Sequence, residues 1–239
     1  MLGKIHSIES LATHEGYGLR AAVFMHGCPI RCCYCHNPDA WFGEAKQTLS
    51  ADELLQKLLR LKPYFKNDGG VTFTGGEPII QSVFLNDVIK KLTKNGINSA
   101  IDTSCVILND EVKELYSLCE FVITDLKFYT KEQYIKHTGA DIFDTVIKTL
   151  NYLNQINKPV IVRTVVIPGI NDTEQDILYY ANLVKCYNNI KEYELKPFHT
   201  MGFQKYKSLG LKNPLGDIQA MNAATVEKLN KIINDKLKN

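Results

Sequence analysis

Four of the chain's seven cysteines are clustered in one short segment, Cys28–Cys35. A disulfide framework usually spreads an even number of cysteines along the chain, and the N-terminus lacks the apolar core of a secretory signal. Clustered thiols in a reducing compartment indicate a metal centre instead. The other three cysteines, Cys105, Cys119 and Cys186, stand alone and are expected to act as small buried hydrophobic residues.

The spacing C-x3-C-x2-C lets the thiolates of Cys28, Cys32 and Cys35 reach one metal centre from a single loop. A structural zinc site would need four closed ligands, and an electron-carrying ferredoxin would need a fourth cysteine. His36 can hardly converge on the same ion as its neighbour Cys35. Ligation by Cys33 would need a one-residue spacing that turns neighbouring side chains apart. Three thiolates with an open position therefore favour a catalytic, site-differentiated cluster, with Cys33 as a spectator.

The composition is that of an ordinary globular protein. Of 239 residues, 45% are hydrophobic and 23% are charged, and the formal net charge of +2 is too small to argue for nucleic-acid binding. The longest apolar runs are far too short to span a membrane. We therefore expect a cytoplasmic protein in which residues 1–239 form a single domain.

Short β-branched and aromatic runs alternate with amphipathic stretches along most of the chain. Six runs are predicted strands: Ala21–Met25, Val71–Thr74, Ser99–Asp102, Phe121–Leu126, Val160–Val166 and Tyr193–Phe198. The predicted helices are one that begins after Ser50 with a capping box to Glu53, and Val83–Lys94, Asp110–Leu118, Thr145–Gln155, Thr173–Lys185 and Ala223–Lys236. This alternation is typical of a parallel sheet, and six repeats fall short of a closed eight-fold barrel. The sequence therefore predicts an α/β fold, an open, partial (β/α)6 TIM-like barrel with parallel strands.

Glycine-rich and polar residues follow the predicted strands. They include Gly75, Gly76, Glu77, Asp102, Thr103, Asp125, Leu126, Lys127, Arg163, Val165 and His199. Glycines let a backbone approach a ligand closely, and a carboxylate beside them can hold an ammonium group. Each signal alone has a plainer explanation: an ordinary turn, an ion pair between Asp125 and Lys127, or a core position for His199. Because the ends of parallel strands share one mouth, their joint occurrence predicts a site there.

The cysteine spacing, with an aromatic residue before the last cysteine, and the Gly75–Pro78 motif together resemble the radical SAM superfamily. Its members cleave S-adenosylmethionine (SAM) at a [4Fe–4S] cluster. The segments Asp125–Lys127, Arg163–Asp172 and Pro197–Lys205 resemble motifs of the glycyl-radical-enzyme activating enzymes, most of all those acting on pyruvate formate-lyase. No cysteine-rich insert follows Asn37–Trp41, as in the compact, single-cluster members.

The resemblance implies roles for individual residues. Those implied for catalysis are Cys28, Cys32 and Cys35, as ligands of the cluster, and Lys127. The implied SAM contacts are Tyr34, Cys35, His36, Gly75, Gly76, Glu77, Asp125, Leu126, Lys127, Arg163, Val165 and His199. The implied monovalent-cation site consists of Asp102, Thr103 and Asp125.

The resemblance also implies a reaction and its partners. Flavodoxin or ferredoxin would supply one electron, and the 5′-deoxyadenosyl radical from SAM would take a hydrogen from a glycine of a glycyl radical enzyme, pyruvate formate-lyase in the closest case. The enzyme would be a monomer. Three alternatives stay open: a different glycyl radical enzyme as partner, a small-molecule radical SAM enzyme such as carboxy-deazaguanine synthase, and a non-enzymatic metal or electron-transfer protein.

One segment departs from the family pattern. Members usually read Thr-x-Asp-Gly-Pro-Gly-Ile-Arg before the first strand, whereas this chain has Glu15 for the Asp and Tyr17 for the Pro. The longer acid keeps its charge but moves its carboxylate by about one methylene, which matters where positioning is tight. The segment Asp102–Cys105 is also altered. These changes leave the cluster and SAM motifs intact and leave the identity of the partner enzyme open.

Overall fold

The computed structural model describes residues 1–238, which build one eight-stranded sheet with helices on its outer face. The strands are β1 (Leu2–Ala12), β2 (Arg20–Met25), β3 (Gln47–Ser50), β4 (Gly70–Gly75), β5 (Asn98–Thr103), β6 (Phe121–Asp125), β7 (Val160–Val166) and β8 (Ile190–Pro197). Their order in space is β3-β1-β2-β4-β5-β6-β7-β8. Strands β3 and β8 are the two edges, so the barrel is not closed.

The six predicted strands are confirmed as β2 and β4–β8, which pair in parallel throughout. The sequence did not predict β1 and β3, which extend the sheet beyond β2 in antiparallel pairing. Strand β1 mixes buried and exposed positions without strict alternation, and β3 has only four residues. Neither carries the period-two pattern on which strand prediction depends.

The helices are α1 (Ala51–Leu59), α2 (Lys62–Phe65), α3 (Ser82–Lys94), α4 (Asp110–Leu118), α5 (Lys131–Thr138), α6 (Phe143–Gln155), α7 (Glu174–Val184), α8 (Phe203–Ser208) and α9 (Ala223–Lys238). Short 3-10 helices lie at Pro38–Ala40 and Pro78–Gln81. The capping box predicted for Ser50 and Glu53 is present at the start of α1. Helices α2, α5 and α8 were not predicted, because they are short.

Within residues 1–238, no helix is long and apolar enough to cross a membrane.

Side chains on the parallel strands divide between two environments. The large core lies between the sheet and the helices, and a small apolar cluster of Ala100, Phe121, Ile123 and Ile161 lies on the other face of β5–β7. Side chains alternate along a strand, so Asp102, Asp125 and Arg163 face the same side as this cluster, nearer the carboxyl ends. The barrel interior is therefore apolar towards the amino-terminal ends of β5–β7 and charged towards their carboxyl ends, which form the mouth.

Arg20, at the start of β2, is fully buried beneath the barrel interior. Its guanidinium donates to the Thr72 hydroxyl at 2.6 Å, to the Asn98 side-chain oxygen at 2.9 Å and to the Val71 carbonyl at 2.9 Å. It also lies over the ring of Phe121, 5.0 Å from the centroid. One side chain thereby joins β2, β4, β5 and β6.

We predict that Arg20→Met lowers the free energy of unfolding by about 3 kcal/mol, because it leaves several buried acceptors without a donor. Urea unfolding followed by circular dichroism under anaerobic conditions measures this. The exposed Arg60 provides the matched control, and Arg60→Met should change stability by no more than about 0.5 kcal/mol. Equal effects of the two substitutions would show that the buried hydrogen bonds do not support the fold.

Candidate active site

The loop after β2 carries the four clustered cysteines and is fixed by backbone hydrogen bonds on two sides. One side is the segment that ends the 3-10 helix Pro38–Ala40, and the other is the C-terminal end of α5. The four bonds are Gly27 N to Ala40 O (2.7 Å), Cys28 N to Trp41 O (3.3 Å), Arg31 N to Thr138 O (2.7 Å) and Cys33 N to His137 O (2.8 Å). The unpredicted helix α5 is thus one of the two supports of the cysteine loop.

The thiols of Cys28, Cys32 and Cys35 share one largely buried environment. Burial raises the pKa of Cys28 to about 12 and also raises the pKa values of Cys32 and Cys35. The Cys35 thiol adds to the increase at both Cys28 and Cys32, so the three sulfurs are electrostatic neighbours. Buried thiols of this kind become thiolates when a metal cation compensates their charge.

The Cys33 thiol has a different neighbour. Its sulfur lies 3.8 Å from Nδ1 of His137, whose ring stacks on Phe128 with centroids 4.8 Å apart. Burial raises the pKa of Cys33 to about 11. The contact places this thiol against α5, which favours the prediction that Cys33 is not a ligand.

Lys127 lies between the cysteine loop and the barrel interior. Its ammonium group donates to the Asp125 carboxylate at 2.9 Å and lies 5.7 Å from the centroid of the Tyr34 ring. Although burial favours the neutral amine, the Asp125 charge holds the pKa of Lys127 well above its usual value. The hydroxyl groups of Tyr134 and Tyr180 bond the Lys127 backbone N–H and carbonyl at 3.1 and 3.0 Å. The ion pair with Asp125 fixes the Lys127 ammonium, and the two tyrosine hydroxyls fix the Lys127 backbone.

Arg163 on β7 organises the charges of the barrel interior. It donates to the Glu194 carboxylate on β8 at 2.5 Å and to the His14 carbonyl at 2.6 Å. Its guanidinium is also 3.7 Å from the carboxylates of both Glu15 and Asp102. The contacts of Arg163 with His14 and Glu15 hold the segment that precedes β2 against the barrel interior.

Two of the acids near Arg163, Glu15 and Asp102, have raised pKa values. Burial, followed by the charge of Asp102, raises the pKa of Glu15 to about 7. Burial, followed by the charge of Asp125, raises the pKa of Asp102 to about 6, even though Asp102 accepts a hydrogen bond from Thr74 at 3.0 Å. The mouth thus holds more carboxylates than the nearby cations neutralise, which suits a positively charged ligand.

The glycine turn after β4 packs against the start of the cysteine loop. Gly75 has φ +101°, and a Cβ there would lie 2.7 Å from the backbone nitrogen of Met25. A Cβ on Gly76 would lie 2.3 Å from the carbonyl oxygen of Gly27. Only glycine fits at these two positions, because the neighbouring backbone leaves no room for a side chain.

The Glu77 carboxylate is fully buried and turned towards β5. It accepts hydrogen bonds from the Thr103 hydroxyl at 2.6 Å and from the Ser104 amide at 2.8 Å. Burial raises its pKa to about 7. The side chains of Glu77 and Thr103, both predicted site residues, therefore bind each other and brace the glycine turn.

The far side of the mouth is formed by the segment after β8. The rings of His36 and His199 lie 5.3 Å apart, and Nδ1 of His199 is buried with no hydrogen-bond partner in residues 1–238. Burial, with the nearby His199 and Lys205, lowers the pKa of His36 to about 4. A Cβ on Gly202 would lie 2.6 Å from the His36 Cα, so the segment packs directly on the cysteine loop.

Most predicted site residues meet at this mouth. Leu126 is an exception, since its side chain is fully buried in the large core and only its backbone faces β7, donating to Arg163 O at 2.8 Å. Val165 lies two residues beyond Arg163 on the same face of β7. Glu194 was not among the predicted site residues, although its period-two spacing from Lys196 on a predicted strand was an available signal.

Comparisons with known proteins show the family of the chain. A family model described as the radical SAM superfamily matches residues 22–181. The chain is 40% identical to a pyruvate formate-lyase-activating enzyme of Clostridium pasteurianum over 99% of both chains. It is 34% identical to one of Staphylococcus epidermidis, covering 97% of this chain and 95% of that protein. The chain belongs to the radical SAM superfamily. Its near full-length relatives place it among the pyruvate formate-lyase-activating enzymes.

A solved structure shares the fold of this activating enzyme. The crystal structure of a domain of pyruvate-formate lyase-activating enzyme from Bacteroides vulgatus matches with a TM-score of 0.58 and 24% identity. The match covers 70% of this chain and 94% of that one. At this level of identity the likeness concerns the fold, and it agrees with the open, mostly parallel barrel.

The radical SAM family implies a [4Fe–4S] cluster and SAM, and the residues present fit both. Three thiols on one loop, that of Cys32 buried and those of Cys28 and Cys35 partly buried, suit the cluster. No three His, Cys, Asp or Glu side chains in the described part of the chain meet closely enough to bind a single metal ion. Cluster thiolates each bind a different iron and do not need to meet in that way. Among residues 1–238, His199 Nδ1 and one Glu15 oxygen, which lies 3.7 Å from the Arg163 guanidinium, are buried without a hydrogen-bond partner and suit the polar groups of a bound ligand.

We predict that Cys32→Ala prevents cluster assembly, because two thiolates cannot replace three ligands. Iron and sulfide analysis after anaerobic reconstitution measures this, and the content should fall well below that of the wild type. Cys33→Ala is the matched control and should retain the cluster, since its thiol lies against His137. Loss of the cluster in Cys33→Ala would reassign the ligand.

We predict that Glu15 makes stability depend on pH. Its pKa rises from 4.5 to about 7 on folding, so its contribution is complete below pH 4.5 and is lost as pH rises through 7. Glu15→Gln should remove up to about 3 kcal/mol of this decline. Urea unfolding at several pH values between 5 and 8 measures it. Glu44→Gln, at an exposed position, should leave the pH profile unchanged. Identical profiles for the wild type and Glu15→Gln would contradict the prediction.

Proposed function

We propose that this chain activates a glycyl radical enzyme, and that the target is pyruvate formate-lyase. The observation that carries the proposal is the 40% identity to an activating enzyme of that name over 99% of both chains. The cysteine loop and all the strand-end residues of the mouth fall within this match. The site geometry supports the same reading, because the thiols, Lys127 and the buried acids surround one opening.

The chemistry divides between the cofactors and the protein. A bound [4Fe–4S] cluster, reduced by an external donor, would supply the one electron that cleaves SAM to methionine and a 5′-deoxyadenosyl radical, and this radical would take a hydrogen atom from the partner glycine. The protein holds, orients and shields these groups. Cys28, Cys32 and Cys35 would hold the cluster, and three protein ligands would leave one coordination position for SAM.

Several residues can hold SAM around the mouth. The Lys127 ammonium, fixed by Asp125, provides a positive charge for a carboxylate. The buried Nδ1 of His199 has no partner within residues 1–238 and can bond a polar group of the ligand. We expect the backbone of Gly76, through its carbonyl oxygen, and the backbone of the segment Tyr34–His36 to contact SAM, the latter at the adenine; the Gly76 N–H itself bonds Met25 O at 3.0 Å.

We also propose that a monovalent cation binds at Asp102, Thr103 and Asp125. Asp102 and Asp125 repel each other strongly enough to contribute to the raised pKa of Asp102, and a bound cation would offset that repulsion. The Thr103 hydroxyl is engaged by Glu77, so Thr103 would contribute through its backbone.

The open barrel suits a protein substrate. Strands β3 and β8 are the two edges of the sheet in the described residues, so the barrel stays open and a loop of a partner can enter its mouth. The sheet runs without a break from β3 to β8, and we propose that the chain works as one domain and as a monomer. Flavodoxin or ferredoxin would deliver the electron in the cytoplasm, where thiols stay reduced.

A different glycyl radical enzyme is the second candidate partner. The replacement of the family's Asp by Glu15 favours it, because the Glu15 carboxylate lies in the barrel interior, where a partner segment would arrive, and one oxygen has no hydrogen-bond partner within residues 1–238.

We predict that the anaerobically reconstituted protein cleaves SAM to 5′-deoxyadenosine under reduction and produces a glycyl EPR signal when pyruvate formate-lyase is added. The Cys35→Ala variant, which lacks one cluster ligand, is the control and should do neither. SAM cleavage without a glycyl signal would point to another glycyl radical enzyme or to a small-molecule substrate. Absence of SAM cleavage would overturn the proposed function altogether.

A further inference from the structure

The hydroxyl group of Tyr206 is buried and lacks a hydrogen-bond partner among residues 1–238. Tyr206 lies on α8 and is only 2% exposed. Leaving a buried hydroxyl unpaired costs about 1–3 kcal/mol. Such a group therefore indicates an acceptor that the polypeptide itself does not provide.

The helix that carries Tyr206 is attached to the cysteine loop. The ammonium group of Lys205, the preceding residue, donates to the side-chain oxygens of Asn37 at 2.7 Å and Asp39 at 3.0 Å. The Tyr206 ring meets the ring of Trp41 edge-on, with centroids 5.8 Å apart. These contacts fix the tyrosine ring relative to the loop, so the direction of its hydroxyl is set by the fold.

The cysteine loop packs directly on the start of this helix, because a Cβ on Gly202 would lie 2.6 Å from the His36 Cα and 3.2 Å from the Cys35 carbonyl oxygen. Burial, followed by the charges of Cys35, Cys32 and Cys33, raises the pKa of Tyr206. The Cys35 thiol makes the largest of these three contributions. Thiolate and sulfide sulfurs of an iron–sulfur centre are hydrogen-bond acceptors. A cluster held by this loop would place such acceptors beside the unpaired donor.

We propose that the Tyr206 hydroxyl donates a hydrogen bond to a sulfur of the bound cluster on the Cys35 side and thereby raises the reduction potential of the cluster. This inference rests on the proposed function, because it needs the [4Fe–4S] cluster. Tyr206 acts here on the cofactor and makes no contact with the reacting carbon atoms.

The sign of the effect follows from charge. Reduction of [4Fe–4S]2+ to [4Fe–4S]1+ adds one electron from the external reductant and makes the sulfurs more negative. A hydrogen bond to sulfur is therefore stronger in the reduced state, which it stabilises over the oxidised state. Removal of the donor should make the midpoint potential more negative.

The test is an EPR-monitored redox titration of the reconstituted protein. Tyr206→Phe keeps the ring against Trp41 and removes only the hydroxyl. At a fixed solution potential, its ratio of reduced to oxidised cluster should fall roughly two- to tenfold, the equivalent of one net hydrogen bond. Tyr116→Phe is the matched control, because it removes a fully buried hydroxyl that lies near Cys105, outside the cysteine loop. Its potential should equal that of the wild type.

A second variant covers the case in which Tyr206→Phe does not assemble a cluster. Replacement of Tyr206 by 3,5-difluorotyrosine keeps the shape and strengthens the donor, so the midpoint potential should rise. Unchanged potentials in whichever variant assembles a cluster would overturn the inference and leave the proposed function intact. A wild-type chain that takes up no cluster would overturn both.

Discussion

The arrangement of the site depends on the guanidinium of Arg163. It joins β7 to Glu194 on β8 and to the backbone of the segment before β2, and it lies 3.7 Å from two further carboxylates. Without it, Glu15, Asp102 and Glu194 would lose their common cation in a poorly hydrated interior, where an unpaired charge costs several kcal/mol. One residue thus fixes the entering segment and makes a charged interior compatible with folding.

The same charge balance explains why the mouth is suited to a cationic ligand. Lys127 is committed to Asp125, and Arg163 is shared among several acids. Burial still raises the pKa values of Glu15 and Asp102, so the cations present do not fully compensate the carboxylates. A sulfonium or a bound metal cation would supply the missing positive charge.

The sequence predicted what local patterns encode. Apolar β-branched runs marked the six parallel strands, and the cysteine spacing marked the loop that follows β2. It missed α5 and α8, whose importance comes from long-range contacts such as that of Lys205 with Asp39, 166 positions apart. It also assigned Glu77 and Thr103 to ligands from their motif, while their mutual hydrogen bond depends on the packing of β4 against β5. Spacing identifies candidate residues, whereas the direction of a side chain is decided by tertiary structure.

The two departures from the family pattern in the segment before β2 have different consequences. The ring of Tyr17 packs on Phe121, the first residue of β6, with centroids 5.0 Å apart, and the Tyr17 carbonyl accepts from Arg20 at 3.1 Å. Tyr17 therefore lies at the amino-terminal end of the parallel strands, away from the mouth, with its ring partly exposed, and bears on stability. Glu15 lies beside Arg163 and Asp102, where an entering segment would arrive. Of these two side chains, only that of Glu15 reaches the charged groups of the barrel interior, so an effect of the two replacements on binding there should follow position 15.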